Sequence, residues 1–114
     1  MLLNATVIEE VRETLGDDTL RAFLTRMLTE VEETAVTLRG LLAVQDYATL
    51  AATAHRASGS AAAVGASGLH AALKEIENAA RKPGSVAELP ALIAALSDCT
   101  DRTRTALLFI LGTD

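Results

Sequence analysis

The chain has 114 residues, 50% of them hydrophobic, and a formal net charge of -5. At this length a single domain spanning residues 1–114 is the expectation, with enough apolar content for one core. The acidic balance, with a sequence pI of about 4.9, excludes nucleic acid and anionic membrane as main partners, since either wants clustered Lys and Arg. Two phenylalanines and one tyrosine are the whole aromatic content, and alternating β-branched stretches are absent, so the fold class is all-α. Much of the apolar content is alanine, the best helix former and too small to span wide gaps, which favours closely packed helices. Cys99 is the sole cysteine; with no partner thiol and no neighbouring histidine it reads as a spectator. No basic segment precedes an apolar run at the N-terminus, and no apolar run approaches the ~20 residues that span a bilayer. A cytoplasmic protein is expected.

In chain order, Asn4 is placed to cap a short first helix that runs to about Leu15 and stops at Gly16. Asp17 or Asp18 then caps a long helix with apolar positions at Leu20, Phe23, Leu24, Met27, Leu28, Val31, Ala35, Leu38 and Leu42, a stripe at spacings of three and four. A third helix is predicted from about Asp46 to Val64, with Tyr47, Leu50, Ala51, Ala54, Ala57, Ala61 and Val64 inward. Gly65 ends it, and the chain restarts near Ser67. The fourth helix carries Leu69, Leu73, Ile76 and Ala80, and closes at Arg81 to Gly84. Ser85 and Glu88 have the spacing of a capping box for the last helix. Pro90, just beyond that first turn, leaves two readings: a kink, or a later start. Short connections between four long helices predict an antiparallel four-helix bundle with a short additional N-terminal helix.

Placing the third helix at 100° per residue puts His55 about a quarter turn from the centre of its apolar stripe, at the edge of the solvated face. Its neighbours one and two turns away (Ala48, Ala51, Ala52, Ser58, Gly59 and Ala62) are all small. A glycine inside a helix costs about 1 kcal/mol relative to alanine, and close approach of another molecule beside the imidazole is a physical reason for Gly59. A lone histidine on a helix is otherwise an ordinary solvated residue.

The stretch from Leu50 to Glu77, LAATAHRASGSAAAVGASGLHAALKEIE, resembles the signature of histidine phosphotransfer domains. In that family the histidine is followed by glycine four residues on, then a small residue, then a Gly-Ala pair opening the turn. Here these are His55, Gly59, Ser60, Gly65 and Ala66, with Leu69, Leu73 and Glu77 matching the later leucines and acid. LGDDTLRAFLTRML, Leu15 to Leu28, is similar to the family's approach to its first long helix. The resemblance implies a phosphorelay intermediate in which His55 is the nucleophile. It would accept a phosphoryl group from a receiver-domain aspartate and pass it to another receiver. The implied partners are response-regulator receiver domains and a hybrid sensor kinase. The reacting nitrogen would be Nε2, with Nδ1 fixed by a local hydrogen bond.

This chain departs from the pattern where the family carries leucine and lysine two and three residues after the histidine; Ala57 and Ser58 stand there instead. The lysine's implied role is to hold phosphoryl oxygens. Ser58 offers one hydroxyl donor, and Arg56 and Lys74 are further sources of charge. The surroundings of the phosphoryl group are thus assigned to Ser58, Gly59 and Arg56, and partner docking to Ala48, Ala52, Gly59 and Ala62.

A neutral imidazole is a good nucleophile near neutral pH, because histidine's ordinary pKa is about 6.5. No glycine-rich phosphate loop appears, so the chain reads as a stoichiometric phosphocarrier without an ATP site or cofactor, with Mg²⁺ expected on the partner receiver. A monomer is the simplest form for a shuttle that must expose His55. The alternative is a helical adaptor that binds receiver domains without being phosphorylated, motivated by the missing lysine. A metal-binding bundle would need Glu-x-x-His pairs. Ala52 and Ser67 stand three residues before His55 and His70, so no metal site is expected and His70 reads as a solvated residue.

Overall fold

The computed structural model describes residues 1–112. Helix α1 spans Ala5–Leu15, α2 Asp17–Ala43, α3 Tyr47–Ala63, α4 Ser67–Arg81 and α5 Leu89–Leu111, with a 3-10 segment Pro83–Glu88 before α5. Contacts of α2 with α3, α3 with α4, α4 with α5 and α5 with α2 close a ring of four helices, and α1 packs against α2. The 43 × 22 × 20 Å extents follow from α2, whose 27 residues rise about 1.5 Å each.

The core is a leucine and alanine seam. Leu20, Leu24, Val31 and Leu38 of α2 meet Leu50 and Ala54 of α3, Leu69, Leu73 and Ile76 of α4, and Ile93 and Leu96 of α5, all essentially inaccessible. α3 and α4 make the most extensive contact in the bundle, as expected where Ala51, Ala54 and Ala61 present methyl groups rather than long side chains to the neighbour.

Several local expectations are corrected. Gly16, with φ +87°, is the residue before α2, and Asp17 and Asp18 lie inside its first turn. There their charge faces the positive end of the helix dipole. Phe23 is 43% exposed, because the buried line through Leu20, Leu24, Met27 and Val31 leaves it at the margin. In α3 the buried position is Ser58 rather than the half-buried Ala57; the Ser58 hydroxyl donates to the His55 carbonyl at 2.7 Å, which satisfies its polar atom inside the helix. The capping box does not form: Ser85 lies in the 3-10 segment, and α5 begins at Leu89 without a side-chain cap. Pro90 therefore sits in the first turn, where its missing N–H is no loss. Asn4 caps α1 as expected, its Oδ1 accepting from the Val7 N–H at 3.2 Å.

The segment before α1 straps the α3–α4 turn. The Asn4 N–H donates to the Gly65 carbonyl at 2.8 Å and the Gly68 N–H to the Leu2 carbonyl at 3.0 Å. Gly65 has φ +83°, and a Cβ there would meet Ile8 Cγ1 at 2.9 Å and the Asn4 carbonyl oxygen at 3.0 Å. Gly65→Ala is therefore expected to destabilise the protein by about 2 kcal/mol through left-handed strain and displacement of the strap. Gly84→Ala, where the new methyl meets nothing within 4 Å, should stay within about 0.5 kcal/mol of wild type. Urea denaturation of the two variants checks both.

Candidate functional site

α3 and α4 run side by side, and their facing edges bring together two residues separated by 22 positions. His55 Nδ1 lies 3.1 Å from Glu77 Oε1. Two cations of α4 reach the same carboxylate: Lys74 Nζ donates to Oε1 at 2.9 Å and Arg81 Nε to Oε2 at 3.1 Å. The His55 side chain is 62% exposed while that of Glu77 is 7% exposed. A nearly buried carboxylate thus anchors a largely solvated imidazole.

The charge state of Glu77 sets the tautomer of His55. The Lys74 hydrogen bond, with those from His55 and Arg81, outweighs burial and lowers the Glu77 carboxyl from 4.5 to about 2. Ionised at neutral pH, it has only acceptor oxygens. The ring nitrogen facing it must therefore carry the proton, so neutral His55 is the Nδ1–H form with its lone pair on Nε2. The anchored imidazole thus keeps an unprotonated Nε2 on a side chain that is 62% exposed.

The exposed strip around His55 consists of Ala48, Ala52, Gly59 and Ala62, all at the surface. A Cβ on Gly59 would meet nothing within 4 Å, so no packing among the described residues calls for glycine there. The other assigned surroundings fall elsewhere. Ser58 is 2% exposed, with its hydroxyl proton given to the His55 carbonyl; it faces the core rather than the outer side of the ring. Arg56 lines a groove between α3 and α2, together with Glu30, Glu33 and Thr37 of α2. His70, expected to be solvated, is half-buried: its Nδ1 lies 3.0 Å from the Ser58 carbonyl. Against a carbonyl, which only accepts, that nitrogen carries the proton.

Glu77 was legible in the sequence only as a match to the family's acid, and Arg81 only as part of a helix stop. A signal for Glu77 existed: it lies four residues after Leu73 and eight after Leu69, on the buried stripe of α4, where an unpaired carboxylate is costly. No helical spacing rule, however, names a partner on another helix. Among the described residues no group of three or more His, Cys, Asp or Glu is placed to hold a metal ion, and no helix is long and apolar enough to cross a membrane.

A family model described as the Hpt domain matches residues 22–106. The chain belongs to the Hpt domain family. The structure also superposes on the crystal structure of histidine-containing phosphotransfer protein B from Pseudomonas aeruginosa PAO1, with a TM-score of 0.86 and 26% sequence identity over 99% of this chain and 96% of that one. Comparison with curated proteins gives no significant match. This Hpt domain is a phosphorelay histidine phosphotransfer protein. Hpt domains are phosphocarriers rather than conventional enzymes, and they interact with the receiver domains of two-component systems.

The lowered Glu77 carboxyl makes stability depend on acid. A folded-state value below the ordinary carboxylate value adds stability that is fully present above pH 4.5 and is lost as pH falls towards about 2. Denaturant titrations between pH 6 and pH 2 should show the wild type weakening through this window. Glu77→Gln, which has no carboxylate to protonate, should show a shallower decline. Equal slopes would remove Glu77 from this role.

Proposed function

We propose that His55 is the phospho-accepting residue of this Hpt domain and that Nε2 is its reacting atom. The observation that carries the proposal is the pairing of a 62% exposed imidazole with a nearly buried carboxylate at Nδ1. In the forward step the Nε2 lone pair attacks the phosphorus of a receiver's aspartyl phosphate. The Nε2–P bond forms as the acyl P–O bond breaks, and the electron pair of that bond leaves with the aspartate carboxylate. Positive charge developing on the ring stays on the Nδ1–H side, where Glu77 stabilises it electrostatically. Transfer to a second receiver reverses the same bonds.

Solvent exposure lets the imidazole enter a receiver's cleft, and the strip of Ala48, Ala52, Gly59 and Ala62 keeps bulk away from that approach. Mg²⁺ and the cations that stabilise the transferring group would be supplied by the receiver, so the carrier itself needs no ATP site or cofactor. A hybrid sensor kinase is the proposed upstream source of the phosphoryl group. The proposed carrier acts as a monomer in the cytoplasm.

Radiolabelled phospho-receiver incubated with the protein should transfer acid-labile, alkali-stable label to the wild type and none to His55→Gln. Label on both proteins would overturn the assignment of His55. Receiver binding by both without label on either would instead favour a non-phosphorylated adaptor. Gly59→Ala separates folding from docking. It is expected to raise stability by about 0.5–1 kcal/mol, because alanine is the better helix former and the site is open. The same variant should slow transfer, because its methyl stands in the docking strip. Thermal denaturation and transfer kinetics on one preparation test both halves.

A further inference from the structure

We propose that Lys74 is a positioning residue for the phosphoryl group: its ammonium, held on the carboxylate oxygen that also orients His55, offsets the incoming charge and draws the phosphoryl oxygens towards α4. The inference rests on the assignment of His55 as acceptor and deepens it.

Glu77 poses an electrostatic conflict. Its negative charge fixes the useful tautomer, but it lies beneath a ring that must accept a group carrying close to two negative charges. Repulsion at such range is weakly screened where one charge is buried. Two cations answer the conflict, since Lys74 and Arg81 both bond Glu77 and give the three side chains together a net positive charge beneath the ring. Of the two, Lys74 shares Oε1 with His55. Its distance of 2.9 Å and that of His55 of 3.1 Å together cap the separation of ammonium and Nδ1 at about 6 Å. Arg81 is on the other oxygen.

The other candidates on the elements around His55 are placed elsewhere. The Ser58 hydroxyl is committed to the His55 carbonyl, and Arg56 lines the groove between α3 and α2. The Lys74 side chain is 37% exposed and ends in a compact charge on a flexible stem. It can leave Oε1 for a phosphoryl oxygen while Arg81 continues to hold Oε2. A cation from α4 thereby stands in for the one absent three residues after His55.

A lysine that only anchored Glu77 would act on folding and on the tautomer of His55, so the test reads the phosphoryl group itself. Wild type, Lys74→Met, Lys74→Arg and His55→Gln are treated with phosphoramidate, in which the P–N bond to departing ammonia breaks as the Nε2–P bond forms. The phosphorus resonance is then titrated. In Lys74→Met the phosphoryl group should bind its proton roughly threefold more tightly than in wild type, as expected for loss of one nearby positive charge. Lys74→Arg should stay close to wild type. On phosphorylation of the unaltered protein, the Nζ resonance of Lys74 should move and that of Lys82, the other lysine, should not. That measurement needs no variant to fold. Identical titrations of wild type and Lys74→Met, or an unmoved Lys74 resonance on phosphorylated wild type, would overturn the proposal while leaving His55 as acceptor. Equal labelling of His55→Gln would overturn the acceptor assignment itself, and the role of Lys74 with it.

Discussion

The arrangement of this protein depends on one carboxylate that is almost completely removed from water. Glu77 keeps its charge because donors on two helices supply hydrogen bonds that outweigh burial: His55 from α3, and Lys74 and Arg81 from α4. A buried charge without such partners would take up a proton or unfold its surroundings. With them it becomes a fixed electrostatic post. It sets the imidazole tautomer and holds one edge of the ring. The opposite nitrogen is left with its lone pair.

The post is useful only if α3 and α4 hold a constant separation, and the small residues of the bundle provide this. Ala51, Ala54 and Ala61 lie buried along α3, and methyl groups have no rotamers through which the contact can loosen. The turn between the two helices is clamped by Leu2 and Asn4, which bond the backbone at Gly68 and Gly65. Gly65 admits this strap because it alone of the residue types tolerates φ +83° without strain and leaves room for Ile8. Residues far from His55 in sequence therefore contribute to the 3.1 Å contact at its ring.

Exposure and rigidity are divided between the two faces of α3. The inner face is packed, with Ser58 buried and its hydroxyl turned back on the helix. The outer face is bare, with Gly59 and three alanines around the imidazole. Phosphoryl transfer between proteins needs both properties, because positioning lowers the barrier only when the reacting nitrogen is held still and the receiver must approach it without steric hindrance.

The all-helical class, the order of helices and the candidate nucleophile were legible in the sequence. Spacings of three and four in α2, α3 and α4, punctuation at Gly16, Gly65 and Arg81 to Gly84, and the collar of small residues around His55 depend on local periodicity, which any helix must obey. Helix starts were less legible. Asp17 and Ser85 carry capping chemistry but are not the caps, since the course of the chain between helices decided which residue opened α2 and α5. The partners of His55 lay beyond the sequence for the same kind of reason. Ser58 looked available until packing turned it inward, Arg56 fell on the α2 flank, and His70 reached the Ser58 carbonyl. The sequence by itself determined which residue presents an imidazole on a bare helical face. Only the tertiary structure decided what stands behind that imidazole, because the contact of His55 with Glu77 spans two helices and depends on how they are packed together.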